Sequence, residues 1–190
     1  MKKTFCLAAL LVTAAAPAFA HPGHGAESFA AGVAHPLSGL DHIAAMIAVG
    51  LWSALKGGRA LWVWPATFVG VMLFGSALGM AQVPLVLVEP GILASVVVLG
   101  LMTAFAVDVP VAAGAALIAV FALLHGHAHG TEAADTVAGI EYVGGFALAT
   151  AALHVAGIAF AQIMQRAALR PMVQLAGAAC MALGLLVVLT

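Results

Sequence analysis

The sequence predicts an all-α integral membrane protein: a bundle of about six transmembrane helices behind a cleaved signal peptide. Three observations predict it. Of the 190 residues, 65% are hydrophobic and 7% charged, with a mean hydropathy of +1.18. A water-soluble domain covers itself with roughly 25% charged residues, so this chain is solvated by lipid. Apolar stretches near the roughly 20 residues needed to cross a bilayer recur along it, and its N-terminus carries an export signal.

That signal comes first. Lys2 and Lys3 form a basic start, an apolar run follows from Phe5 to Ala16, and Ala18-Phe19-Ala20 has the small-x-small pattern of a cleavage site. The expected division is a signal peptide over 1–20, a histidine-containing periplasmic tail over 21–28, and a six-helix transmembrane domain over 29–190.

Five later segments lack Lys, Arg, Asp and Glu: Ala60 to Met80, Pro90 to Val107, Val109 to Leu124, Tyr142 to Met164, and Met172 to Thr190. A sixth, from Phe29 to Leu55, carries His35, Asp41 and His42. Breakers separate them: Lys56-Gly57-Gly58-Arg59, Val83-Pro84 with Glu89-Pro90, Asp108-Val109-Pro110, the stretch His125 to Thr136, and Arg166 to Pro171. Lys56, Arg59, Arg166 and Arg170 fall on one side of this topology, which the positive-inside rule makes cytoplasmic. Glu89 and Glu132 fall on the other, so both mature termini are expected in the periplasm and the protein in the bacterial inner membrane. Trp52, Trp62, Trp64 and Tyr142 near the span ends read as interfacial anchors. The GxxxG of Gly75 and Gly79 predicts close helix packing, within the chain or between copies in a homo-oligomer.

The net charge of −1 offers no basic surface to nucleic acid. Cys6 leaves with the signal and Cys180 stands alone, which excludes an intramolecular disulfide or a thiolate-rich metal site. Any metal is held by nitrogen and oxygen.

Eight histidines supply the nitrogen. His35 and His42 lie seven residues apart in the first span, about 10 Å along a regular helix, too far to share an ion. Pro36 and Gly39 are breakers, however, and irregular backbone at membrane depth lines cavities. A break would fold His35 toward Asp41 and His42. Asp41 costs about 2.5–3.5 kcal/mol to insert at this depth and so marks function or a structural Asp–His bond. In the second cluster, His125, His129 and Glu132 share one helical face, a set suited to nickel, zinc or cobalt, while His127 points the other way. A surface metal scavenger is the alternative there. Gly126 and Gly130 either allow close backbone approach or end the helix. His21 and His24 form a third cluster, open to reading as metal capture or as a flexible tail. His154, mid-way along the fifth span, extends an ion pathway or hydrogen-bonds a neighbouring helix.

At the two main clusters the sequence resembles the HupE/UreJ family of nickel and cobalt permeases. The family's His, five residues, Asp-His pattern is met by His35, Asp41 and His42. Its His-Gly-x-Ala-His-Gly-x-Glu pattern is met by His125, Gly126, Ala128, His129, Gly130 and Glu132, with Leu124 where members often have Phe. The resemblance implies a secondary permease, not an enzyme and without a resident cofactor, that passes Ni2+ or Co2+ toward hydrogenase or urease maturation. Imidazole ligates only when neutral, so uptake is expected to fall as pH drops through about 6.5. Three rivals remain: a haem protein with paired histidines, a metal-binding accessory protein without transport, and an intramembrane protease. The last lacks the HExxH it would need.

Overall fold

A computed structural model describes residues 28–133 and 137–189. The predicted signal peptide, His21 and His24 lie outside the described residues. Seven α-helices and no strand make up the described chain. They are α1 (Phe29–Ser38), α2 (Leu40–Lys56), α3 (Ala60–Met80), α4 (Val88–Ala104), α5 (Val111–Glu132), α6 (Val137–Arg166) and α7 (Arg170–Leu189).

Among the described residues α3, α5, α6 and α7 are long and apolar enough to cross a membrane. Helices α1 and α2 meet at an 87° bend, as a broken span or re-entrant loop, and α4 is a shorter apolar helix. The chain is a multi-pass membrane protein.

The first predicted span is thus two helices. Ser28 caps α1 by accepting from the Ala31 amide at 3.1 Å. Pro36, lacking an N–H, weakens its last turn. At Gly39 the backbone turns extended (φ −102°, ψ 121°), and α2 restarts at once. Gly39 also makes room: a Cβ there would stand 2.7 Å from the Asp41 Oδ1.

The stretch from His125 to Thr136, read as a linker, is corrected. Helix α5 runs unbroken to Glu132 and carries the whole histidine cluster. Its glycines explain why. A Cβ on Gly126 would lie 1.9 Å from the Met72 carbonyl oxygen, and one on Gly130 would lie 2.2 Å from that of Ser76. Reciprocally, a Cβ on Gly75 or Gly79 of α3 would lie 2.4 Å from the Leu123 or His127 carbonyl oxygen of α5. Two GxxxG faces lie backbone to backbone, and in lipid, where an unpaired amide finds no water, the helix persists through both.

Helix α2 is the hub, packing on α1, α3, α4, α6 and α7 and buried from Ala44 to Ala54 except Ile47. Gly50 of α2 and Gly157 of α6 bring those two backbones together. At one end of the bundle Lys56, Arg59, Arg166 and Arg170 sit at helix ends, and Lys56 pairs with Asp108 in the α4–α5 turn. Trp52 and Trp64 seal the core beneath that turn: their rings lie 4.2 Å apart, and their indoles donate to the Val107 and Val111 carbonyls at 2.8 Å. Trp52, Trp64 and Tyr142 are therefore buried, at 1%, 0% and 1% exposure, and are not interfacial anchors. Trp62, 79% exposed, keeps the position expected of one.

Candidate metal centre

The opposite end of the bundle gathers the histidines. The bend at Gly39 turns α1 back so that His35 reaches the start of α2, where Asp41 and His42 occupy the first turn. The GxxxG face of α5 presses on α3, and the neighbouring positions bring the His125 and His129 rings to His42 of α2, with Phe68 of α3 also against His125. The His35 and His42 rings stand 6.0 Å apart, His35 and His129 4.7 Å, and His42 and His129 4.9 Å. Nitrogens of His35, His42 and His129 all fall within 4.8 Å of one another. Three ligand atoms from three helices converge on one point.

The carboxylates stand behind the rings. Asp41 Oδ1 is 3.0 Å from His42 Nδ1, and Glu132 Oε2 is 3.3 Å from His129 Nδ1. A carboxylate only accepts, so each neutral ring carries its proton on Nδ1 and donates it there. Both Nε2 atoms then present bare lone pairs, and they face each other at 2.8 Å. Two lone pairs at that distance repel unless an electrophile lies between them, a proton or a metal ion. Carboxylate–imidazole pairs of this kind orient metal-binding histidines and raise their basicity. Asp41 and Glu132 thus stand beside the cluster, each against a ring nitrogen, and among the described residues His35, His42 and His129 are the group whose ligand atoms could share one ion.

The remaining predicted residues divide. His125, fully buried one turn inward on α5, has its ring 5.4 Å from that of His42. Its Nε2 lies 2.9 Å from Ser95 Oγ, whose hydroxyl is 2.6 Å from the Ile92 carbonyl. The carbonyl takes the hydroxyl proton, so His125 Nε2–H donates to Ser95 and Nδ1 is the unprotonated nitrogen. His127 points away, as its position in the helix dictates, and its Nε2–H donates to the Val83 carbonyl at 2.7 Å. It ties α5 to the loop before α4 and does not join the cluster. His154 is fully buried deeper in α6.

Phe146 and Tyr142 were not among the predicted site residues. Phe146 lies 4.3 Å from the His129 ring and Tyr142 5.8 Å from that of His35, closing the cluster on its α6 side. Their spacing of four on one helix was a readable signal. The site stays open at the bundle's end, where the Glu132 side chain is 54% exposed and that of Asp41 26%.

Both the broken first span and the glycine-faced histidine helix fall inside the stretch that comparison with known proteins matches. The family described as HupE / UreJ protein matches residues 8–187. The chain belongs to the HupE/UreJ family. It is 44% identical over 162 residues to Protein HupE of Rhizobium leguminosarum bv. viciae, covering 85% of this chain and 84% of that one. No solved structure matches. HupE/UreJ proteins are permease-type transporters and accessory proteins rather than enzymes. The family match spans both the α1–α2 bend and the α5 cluster, so the three-histidine group is built within the shared domain.

Proposed function

We propose that this HupE/UreJ protein is a secondary permease for a divalent transition-metal ion, nickel first and cobalt second. It sits in the inner membrane, and its cargo moves from periplasm to cytoplasm. The bent pair α1–α2 counts as one span and α4 as another, which gives six, with both termini periplasmic and the basic end cytoplasmic. The observation that carries this reading is the facing pair of Nε2 atoms of His42 and His129, 2.8 Å apart, each ring backed by a carboxylate. Divalent ion–imidazole bonds run about 2.0–2.1 Å, so two at a right angle set their nitrogens about 3 Å apart.

In this reading the ion loses water as His35, His42 and His129 replace it. Imidazole ligands favour borderline ions over magnesium and calcium, which prefer oxygen. Asp41 and Glu132 offset the ion's charge from behind the rings. The inside-negative potential favours entry by roughly 2.3 kcal/mol per charge per 100 mV, so about twice that for a divalent cation. A haem reading fits less well. Axial imidazoles on opposite faces of one iron would hold their nitrogens about 4 Å apart, beyond the observed 2.8 Å.

Uptake of radiolabelled nickel by cells expressing the protein, with unlabelled cobalt, zinc and magnesium as competitors, tests the proposal. Uptake above that of empty cells, reduced by cobalt and not by magnesium, is the expected result. Uptake equal to that of empty cells, with intact protein in the membrane, would sink it. Asp41→Asn and Glu132→Gln should each lower uptake about 10–100-fold at matched protein levels, because the amide no longer fixes the ring tautomer. Activity equal to wild type in both would show that the carboxylates do not orient the rings.

A further inference from the structure

Four buried residues follow one another at every fourth position of α6: Tyr142, Phe146, Thr150 and His154, none more than 1% exposed. Residues so spaced share a helical face. The first two belong to the outer cluster. The next two do not, and both are polar groups that the bundle leaves without a protein partner: Thr150 Oγ1 and both ring nitrogens of His154. At about 1.5 Å per residue, His154 sits about 12 Å inward of Phe146. It lies roughly half-way along α6, beside the Gly50 contact with α2.

A histidine retained to join two helices would hydrogen-bond across the joint. This one bonds to neither neighbour. Such burial carries the full desolvation penalty of the group, and Leu or Phe would fill the space without it. His125 presents the same feature from the other side: Ser95 holds its Nε2–H, and Nδ1 is bare, buried and unpartnered. The Phe68 ring packs against both imidazoles, 5.6 Å from His125 and 5.1 Å from His154. Beyond His154 toward the basic end, the core is closed by Trp52 and Trp64.

We propose that His154, with Thr150 one turn outward, forms an inner ion station that receives the divalent cation from His125 on its way across the bundle. The inference rests on the permease reading of the outer cluster. It adds a second site of different chemistry: imidazole and hydroxyl with no carboxylate, which holds a borderline cation less tightly and so can release it. An ion leaving the outer cluster cannot cross the apolar core unligated, so a further ligand must meet it there, and a weaker one lets it go on.

Wild type, His154→Leu and His154→Asn, purified and reconstituted in lipid vesicles, are compared in two readouts: entry of radioactive nickel, and visible absorption on titration with Co2+. Both variants should lower nickel entry about tenfold or more, while keeping the cobalt bands of the outer cluster, which also certify the fold. If His154 merely fills space, the leucine variant folds at least as well and conducts as before. Entry within about twofold of wild type in either variant would overturn the inner station. A wild type that admits no nickel would overturn the permease reading instead. The inner station would then be decided by cobalt: a second set of bands missing in His154→Leu sustains it, and identical titrations in the two proteins overturn it.

Discussion

His42→Ala should reduce nickel uptake about a hundredfold or more at matched membrane levels, and His129→Ala should match it. Removing a residue that only orients a ligand costs about 10–100-fold, and these two are the nitrogens themselves. Their Nε2 atoms stand 2.8 Å apart, so neither can be replaced by a neighbour without moving a helix. Truncating His42 also strips Asp41 of the partner it holds at 3.0 Å and leaves that carboxylate facing the cluster unpaired. His127→Ala is the matched control. It removes an imidazole from the same helix as His129, two residues away, but one that bonds the Val83 carbonyl on the far side. It should keep most of the uptake. Equal losses from His42→Ala and His127→Ala would mean that the motif acts as a loose histidine-rich surface and not through this geometry.

The second large effect concerns two glycines that never touch the ion. Gly126→Val should destabilise the protein by about 3 kcal/mol or more, the upper end of what overpacking costs where the obstacle is a side chain. Here the obstacle is backbone: a Cβ would meet the Met72 carbonyl oxygen at 1.9 Å and its carbon at 2.7 Å. Helices α3 and α5 would have to part, and His125 and His129 would move with α5. Thermal unfolding in detergent should show a lower transition whether or not nickel is present. Gly144→Ala serves as the comparison, since nothing lies within 4 Å of its Cβ position. It should be neutral or slightly stabilising, because alanine loses less backbone freedom in a helix, by about 0.5–1 kcal/mol. A Gly126→Val protein as stable as wild type would contradict the close α3–α5 contact.

Much of this architecture could be read from residue order. Ala60 to Met80 is a helix with those bounds, since Lys56-Gly57-Gly58-Arg59 precedes and Val83-Pro84 follows a run that lipid favours. Pro36 and Gly39 pointed to the break that lets His35 meet His42, and their chemistry is local. The fate of Gly126 and Gly130 was not local. Glycine ends helices in water, but between two membrane helices it is what allows contact, and only the partner's Gly75 and Gly79 decide which applies.

Burial was harder still. A helix in water reveals its inner face by an apolar stripe; here the lipid side and the core side are equally apolar, so Trp52 and Trp64 looked no different from Trp62. The bond between His42 and His129 joins residues 87 apart in the chain, and Ser95 lies 30 residues from the His125 it orients. No spacing rule reaches that far. The roles of the carboxylates were likewise hidden: composition offers Asp41 and Glu132 as ligands, and only their placement beside Nδ1 makes them the groups that aim the rings.

In the proposed permease His35, His42 and His129 converge on one divalent transition-metal ion. X-ray absorption at the nickel edge of the purified, nickel-loaded protein tests it most directly. Nitrogen scatterers at about 2.1 Å with the outer-shell pattern of about three imidazoles, falling by one in His42→Ala, are the expected result. A first shell of oxygen alone, unchanged by that substitution, would contradict it.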